Sequence, residues 1–377
     1  MVLNSVLGFL PALRRAQALP PQSSFSGHSA DTEAAVFEFG MIGFDAQQRQ
    51  LIEKQIDSLP QSQTIWRAGR FSDADAWLVC GEKTRISSDA PTRQDSNVRV
   101  LAGLPSERTI VLDLAEVNRP LAFSAPLHST EIQPRFTFEP ESKHSIENVL
   151  KEFEQCMSQL RAQIVLGKQL IEHEAELKAV VYHIIHRGQL LAVADFTSWK
   201  IGLLPSANPD HFEHAVWEKR PTQAHTIPEC FVHTDVAELR WLYAKHSMRD
   251  VLPARYRHAL IYFRQAPTVP VAWVTDSHLL VLHELSARPA NFTQLAERCG
   301  MPYEQLSKNL AGLYFAGSLT TTPSKAASAS ASQRAAAQKY AVDAAKNQMN
   351  VFNSSMPYEP NASTEGDSTV PAQLKFR

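Results

Sequence analysis

The chain has 377 residues, of which 44% are hydrophobic and 20% are charged, and its formal net charge is −2 at pH 7. That length predicts two or three domains with cores of their own, and the charge balance excludes binding to nucleic acid or anionic membranes through net charge alone. The four cysteines lie far apart without a CxxC pair. The sequence therefore predicts reduced thiols in a cytoplasmic protein, not a disulfide framework or a zinc site.

Residues 1–34 contain one short apolar stretch, which Pro11 interrupts, followed by a linker rich in Pro, Ser and Gly. The basic pair Arg14-Arg15 follows the apolar stretch, which is the wrong order for a secretory signal. We predict a disordered leader and linker here, with a short amphipathic docking helix as the alternative. No run of about 18 apolar residues occurs elsewhere, so no transmembrane helix is predicted.

Residues 35–130 have the pattern of an α/β domain. An apolar strand pattern at 36–44 precedes a helical pattern at 46–59, which Asp45 can cap. Further strand patterns follow at 64–66, 76–80, 97–101 and 109–114. Apolar strands separated by linkers predict a mostly parallel sheet that is covered on both faces.

The order of these segments resembles a response-regulator receiver domain, and three positions carry the resemblance. Asp45 matches the acidic, metal-binding end of the first strand, with one acid instead of a pair. Cys80 stands where the phosphoacceptor aspartate ends the third strand, and Arg119 replaces the lysine of the Lys-Pro dipeptide after the fifth.

Aspartyl phosphoryl transfer needs a carboxylate nucleophile and Mg²⁺ held by further carboxylates. Because Cys80 offers a thiol and the acid pair is depleted, the resemblance implies a degenerate domain that signals by contact. An unrelated small α/β domain is the alternative interpretation.

Residues 141–273 are predicted to form an α+β middle domain. A long helical pattern opens at Ser145 and extends through Leu160 towards Ile171. Patterns at 180–185 and 189–196 predict a hairpin, a third strand follows at 199–204, and 236–244 is a helix capped by Thr234 or Asp235.

The densest cationic feature of the chain lies near the end of this region. It comprises Arg249, Arg255, Arg257 and Arg264. Arginine binds phosphate bidentately, so these residues are a candidate anion or nucleotide-phosphate site. The alternative is a loop whose arginines pair with local acids.

Two HxxH pairs, His183/His186 and His211/His214, invite a metal interpretation. Positions i and i+3 of a strand face opposite sides, however, and no HExxH is present. Surface or core histidines, without a bound metal, are therefore predicted.

Residues 274–322 have the layout of three helices and a β-prone return. Helical patterns at 278–285, 293–298 and 303–315 precede the β-prone run 318–322. Asn291 or Thr293 is predicted to cap the second helix, and Gly300 to end it. This layout resembles a winged-helix unit, whose third helix would be the recognition helix. Residues 323–377 are rich in Ala, Ser and Asn, and we predict a disordered tail there.

The winged-helix-like unit contains more acidic than basic residues between 276 and 322. Since DNA is bound chiefly by neutralising phosphates with Lys and Arg, we expect a protein partner and regard DNA as less favoured. The candidate interaction surface is on the third helix, and its outward residues are predicted to be Tyr303, Gln305, Lys308 and Asn309.

No motif for nucleophilic catalysis or phosphate binding is present, and we interpret Asp73 and Asp75 as solvated loop acids. The sequence thus predicts a multi-domain α/β plus α+β protein without cofactor. Its predicted function is a non-catalytic signalling or adaptor protein that works through protein–protein contacts. The alternatives are a transcriptional regulator that binds DNA through the winged-helix-like unit and an enzyme without a readable motif.

Overall fold

A computed structural model describes residues 24–26, 33–60, 64–71, 73–87, 97–101, 109–113, 119–127 and 134–327. Most of the predicted leader, and the predicted tail beyond residue 327, lie outside these ranges. The described chain mixes helices with a parallel and an antiparallel sheet, in agreement with the predicted mixed fold class.

The strands of the N-terminal region are β1 (Ser24–Ser26), β2 (Ala35–Ile42), β3 (Thr64–Ala68), β4 (Ala76–Val79), β5 (Thr84–Ser87), β6 (Asn97–Leu101), β7 (Thr109–Asp113), β8 (Leu121–Ser124) and β9 (Thr137–Phe138). Its helices are α1 (Ala46–Asp57) and α2 (Lys143–Cys156).

The remaining strands are β10 (Val181–His186), β11 (Gln189–Asp195), β12 (Lys200–Leu203), β13 (Val216–Arg220), β14 (Val232–Asp235), β15 (Tyr262–Phe263) and β16 (Leu319–Thr320). The remaining helices are α3 (Ser158–Glu172), α4 (Pro209–Glu213), α5 (Val236–His246), α6 (Arg255–His258), α7 (Asp276–Ala287), α8 (Phe292–Cys299) and α9 (Tyr303–Phe315).

The N-terminal sheet has the order β3-β2-β4-β8-β9, and all its neighbouring strands are parallel. Counted along the chain, this order is 2-1-3-4-5, the doubly wound order of flavodoxin-like folds. Helix α1 begins where predicted, because the Asp45 carboxylate accepts from the Gln48 amide at 2.8 Å and the Gln48 side chain accepts from the Asp45 amide at 3.1 Å.

The prediction that 97–101 and 109–114 join the parallel sheet is wrong. These segments are β6 and β7 of a separate antiparallel sheet of order β5-β6-β7. The connections at 88–96 and 102–108 are shorter than the dozen or so residues that a parallel crossover requires, so antiparallel pairing follows. Strands β8 and β9 occupy the sheet instead, and they are too short to stand out in the sequence.

The two faces of the parallel sheet are covered differently. Helices α1 and α2 cover one face, and the core there includes Phe37, Phe39 and Phe153. On the other face, Ile42 packs with Trp77 near the carboxyl ends of the strands. Beside Glu38 and Arg67, this second face opens to a cleft.

The middle region is built on a six-stranded antiparallel sheet of order β1-β13-β10-β11-β12-β14. The predicted hairpin is confirmed as β10 and β11, and its turn places Arg187 and Gly188 at φ 48° and 80°. The predicted long helix is divided at Met157 into α2 and α3, so the single continuous stripe is wrong. Helix α3 packs closely on α5, since a Cβ built on Gly167 would lie 2.2 Å from the Leu239 carbonyl oxygen.

Helix α5 lies in the middle of the molecule. Asp235 caps it, as one of the two predicted candidates, in a capping box with Glu238. Its neighbours include α3 on one side and α9 on the other.

The C-terminal helices follow the predicted layout. Asn291 caps α8, and Gly300 ends it in the left-handed conformation at φ 60°. Strand β16 returns to pair antiparallel with β15. Five leucines of these helices are buried in the core: Leu282, Leu295, Leu306, Leu310 and Leu313.

The same core also includes Trp241 of α5. The three C-terminal helices therefore share their hydrophobic core with the middle region. None of the described helices is both long enough and apolar enough to cross a membrane.

Candidate functional site

A cleft of about 600 Å³ lies where the N-terminal sheet, α5 and the C-terminal helices meet. We call it the central cleft. The open face of β2 and β3 contributes Val36, Glu38 and Arg67, and α5 contributes Lys245 and His246. The opposite wall includes His278 of α7 and Gln305, Lys308 and Asn309 of α9.

Asp75 is held at the base of the cleft by a fixed set of partners. Its side chain is 7% exposed, and Lys245 Nζ lies 2.7 Å from Oδ1. The Glu38 amide donates to Oδ2 at 2.9 Å. Burial alone raises the pKa of Asp75, but attraction to His246 and Lys245 and the hydrogen bond from Glu38 outweigh it, so the pKa lies below its usual value.

This geometry corrects the interpretation of Asp75 as a solvated loop acid. The residue directly precedes the fully buried strand β4. A carboxylate at such a position needs a partner, because an unpaired buried charge is costly. That adjacency was the signal in the sequence, although the partner Lys245 is 170 residues away.

His246 is a neutral imidazole with an assigned tautomer. Its Nδ1 donates to the Val36 carbonyl oxygen at 2.8 Å and lies 3.8 Å from Asp75 Oδ2. Burial lowers the pKa of His246 to about 4, in spite of the opposing attraction of Asp75. Because Nδ1 carries the proton at neutral pH, Nε2 is a hydrogen-bond acceptor.

His278 has the complementary tautomer. Its Nδ1 accepts from the Thr275 amide at 3.3 Å and lies 2.7 Å from the Thr275 hydroxyl. Burial lowers the pKa of His278 to about 3, and the nearby charge of Lys245 acts in the same direction. With Nδ1 accepting, the proton of the neutral ring is on Nε2, which is a donor.

Glu38 is an acid of the cleft that forms no ion pair with any residue the structure describes. Burial and the charge of Asp75 raise its pKa more strongly than Lys245 and Lys308 lower it. Within the described ranges, no cation lies close enough to form an ion pair with its carboxylate. The side chain packs against Gly69, where a Cβ would lie 2.5 Å from Glu38 Oε2.

Two of the three receiver-like positions lie at the same edge of the sheet. Asp45 caps α1, and Cys80 is buried directly after β4, so both follow the carboxyl ends of parallel strands. Arg119 lies at the opposite edge, where its Nη1 donates to the Ala74 carbonyl oxygen at 2.5 Å. The expected position after the fifth strand is wrong, because the chain enters β8, the fourth parallel strand, two residues after Arg119.

The four candidate arginines of the anion site are divided between different surroundings. Arg249 pairs with Glu33 at 3.2 Å and with Glu172 at 2.8 Å, and Arg257 pairs with Asp250. Both arginines line a second cavity of about 150 Å³ beside α9. Pairing with acids, the alternative interpretation, describes these two residues.

The other two arginines do not line this second cavity. Arg255 lies over the rings of Tyr256 and Tyr314, with its guanidinium carbon 5.4 and 5.6 Å from the ring centroids. The backbone amide of Arg264 donates to the Ser318 carbonyl oxygen at 2.8 Å. The structure does not assemble the four side chains into one anion site.

The candidate interaction residues of α9 differ in exposure. Tyr303 is 57% exposed, whereas Asn309 is only 6% exposed and donates to the Met301 sulfur at 3.5 Å. Gln305 and Lys308 are partly buried and line the central cleft. The prediction that Asn309 projects outward is wrong, because α9 packs on α5 and turns this position inward.

The HxxH histidines form ring and backbone contacts. His186 stacks on His211 with 4.9 Å between ring centroids, and His183 Nε2 lies 3.2 Å from the Ala224 carbonyl oxygen. Across the part of the chain that the structure describes, no group of three or more His, Cys, Asp or Glu side chains is arranged to hold a metal ion.

Comparison with known proteins gives no relative: no family model, no curated protein and no solved structure matches this chain.

Proposed function

We propose that the chain is a non-catalytic regulatory protein, of the signalling or adaptor type, that binds another protein through the surface around Tyr303. The burial of α9 is the observation that carries this proposal. A helix that reads DNA must project several side chains into the major groove. From Leu306 to Leu313, every side chain of α9 is buried except the partly buried Lys308.

The first turn of α9 remains exposed, and its composition favours a protein partner. Tyr303 is 57% exposed and Met248 is 53% exposed, and both line the second cavity with Arg257. Tyr, Met and Arg are the residue types enriched in protein interfaces. We call Met248, Arg257 and Tyr303 the Tyr303 surface.

The wider assignment is part of the same proposal. A receiver-like domain at 35–130 with Cys80 at the acceptor position, an α+β domain at 141–273 and a winged-helix-like unit at 274–322 suit a regulator that signals by contact. A cytoplasmic location suits reduced cysteines. The parallel strand order and the three C-terminal helices are compatible with these resemblances, but the order alone is common to unrelated proteins.

The test compares surface variants of the full chain. Chemical cross-linking in cells of the source organism, followed by mass spectrometry, should capture a partner with wild type that the double variant Met248→Ala, Tyr303→Ala loses. Trp199→Ala is the matched control, because Trp199 is also exposed, at 56%, but lies on the turn between β11 and β12.

The rival is examined by electrophoretic mobility of promoter DNA at low and moderate salt. DNA binding through phosphate contacts would weaken steeply with salt and with Lys308→Glu. The proposal would be rejected if DNA binding behaved in this way and if the double variant captured the same partner as wild type.

A further inference from the structure

The central cleft adjoins the second cavity, with which it shares Glu304 and Lys308, but it offers a different kind of site from the Tyr303 surface. We propose that it binds a small zwitterion of the short-peptide class, whose ammonium group pairs with Glu38 and whose carboxylate pairs with Arg67 and Arg70. The volume of about 600 Å³ lies within the range of protein pockets that hold small ligands. This inference does not depend on the proposed protein partner.

The inner wall of the cleft contains an acid, Glu38, that a cationic group of a ligand can pair with. Asp75 is already neutralised by Lys245 at 2.7 Å, and Asp73 has polar contacts of its own. Glu38 is half-buried without an ion pair among the described residues, and its raised pKa reflects that burial. An ammonium group placed there would supply the missing opposite charge and a charge-assisted hydrogen bond.

The rim of the cleft contains two arginines that an anionic group of a ligand can pair with. Arg67 lies directly beside Glu38 in the register of β2 and β3, and both Arg67 and Arg70 are exposed. Neither arginine forms an ion pair with any acid that the structure describes. Because a guanidinium binds a carboxylate bidentately, the two residues suit the carboxyl end of a ligand.

Between these ends, the opposite wall presents neutral hydrogen-bonding groups. His278 Nε2 is a donor on this wall, because the Nδ1 atom of the neutral ring accepts from Thr275. The partly buried side-chain amide of Gln305 adds a donor and an acceptor to the same wall, whereas the amide of the buried Asn309 donates to the Met301 sulfur. A peptide group, which carries one donor and one acceptor, matches this lining better than a bare hydrocarbon chain does.

A purely anionic ligand suits the cleft less well. The lining contains the four acids Glu38, Asp73, Asp75 and Glu304 as well as the four cations Arg67, Arg70, Lys245 and Lys308. A phosphate-rich ligand would meet repulsion from Glu38. The balance of charge therefore favours a molecule that carries both signs.

The experiment measures thermal unfolding of the full chain with defined probes. The probes are alanyl-alanine, leucyl-leucine, each of the twenty free amino acids, and orthophosphate. We expect a saturable rise in Tm with at least one dipeptide. N-acetylation removes the ammonium group and C-terminal amidation removes the carboxylate, and each change should weaken binding about tenfold or more.

Two variants assign the ends of the ligand. Glu38→Gln should abolish the preference for the free over the acetylated dipeptide, and Arg67→Gln should reduce the preference for the free carboxylate over the amide. The matched controls are Glu141→Gln and Arg288→Gln, which change exposed residues away from the cleft and should leave both preferences intact.

The other outcomes are equally definite. A rise in Tm with free amino acids alone would support a zwitterionic ligand, and would identify that ligand as a single amino acid instead of a dipeptide. Equal binding of free and acetylated dipeptide by wild type, no shift with any probe, or a shift with orthophosphate alone that Arg67→Gln removes would overturn the proposal.

Discussion

Gln169 beside the antiparallel sheet and Glu38 in the parallel sheet are polar side chains that differ in their partners. In the antiparallel region, Gln169 is 1% exposed and hydrogen-bonded at both ends of its amide: its Oε1 accepts from Trp217 Nε1 at 3.2 Å and its Nε2 donates to the Phe212 carbonyl oxygen at 2.5 Å. In the parallel region, Glu38 faces the central cleft without an ionic partner among the described residues.

The difference separates a structural polar group from one that is available to a ligand. A satisfied buried network fixes one packing arrangement, whereas a half-buried acid without an ion pair costs stability and can pair with a cationic group of a ligand. Comparing the effects of substitutions in the two sheets tests this distinction directly.

Trp217→Ala should produce the largest effect. The indole is fully buried in the core that α3 and α5 form on the antiparallel sheet. Its removal leaves a cavity, so we expect the free energy of unfolding to fall by about 3–5 kcal/mol. Urea denaturation measures the loss. The exposed Trp199→Ala is the control, and equal losses for both variants would contradict the assigned core.

Gln169→Leu should have the next largest effect. The change is close in volume, but it leaves Trp217 Nε1 and the Phe212 carbonyl oxygen without their partners. We expect a loss of about 1–3 kcal/mol in the free energy of unfolding. An unchanged midpoint in the same denaturation experiment would show that water or a rearranged side chain replaces the amide.

Acidification should destabilise the cleft region. The folded-state pKa values of His246 and His278, about 4 and about 3, lie below the ordinary value of 6.5, so between pH 6.5 and 4 the unfolded chain binds protons that the folded chain does not. Stability is present above this window and lost as the pH falls through it. Asp75, Lys245 and Lys308 act on His246, and Lys245 acts on His278.

From pH 7 to pH 5.5 we expect a loss of about 1 kcal/mol for each of these histidines. Denaturation midpoints at the two pH values measure the loss. His278→Gln should reduce the loss of stability between the two pH values by about half. An unchanged loss in this variant would contradict burial of the neutral ring.

Glu38→Gln should have the smallest effect and the opposite sign. Because burial and Asp75 raise the pKa of Glu38, removal of its charge relieves an unfavourable interaction. We expect a small gain in stability, below about 1 kcal/mol, at pH 7. A clear loss of stability would mean that Glu38 has a structural partner like Gln169 has, and the contrast between the two sheets would fail.

The sequence predicted the parts of the fold that local chemistry determines. Asp45, Asp235 and Asn291 mark helix starts through their capping side chains, and Gly300 marks a helix end through its left-handed backbone. The hairpin at Arg187-Gly188 follows from the same kind of short-range signal. Each of these features depends on residues a few positions apart.

Pairing over long distances was not predictable in this way. The segments 97–101 and 109–113 read as strands, but their own composition did not reveal which sheet they join. Helices α2 and α3 meet at Met157, where neither a proline nor a glycine marks the break in the sequence.

The central cleft was missed for the same reason. Its key groups come from β2, the start of β4, α5 and α7, and no short motif contains them. Lys308, Gln305 and Asn309 were singled out for another purpose, an outward surface, and the structure directs Asn309 inward because α5 covers that side of α9.

The bond between His246 and the Val36 carbonyl oxygen has a consequence for biosynthesis. It joins residues 210 positions apart, and the Glu33–Tyr243 bond spans a similar interval. During translation, β2 is therefore synthesised long before α5, the helix that covers its second face. Helix α5 packs in turn on α9, which is synthesised later still. Such a chain folds slowly and late, because its decisive contacts are non-local. Nascent chains released before residue 246 would expose an unfinished sheet, the kind of surface that chaperones recognise.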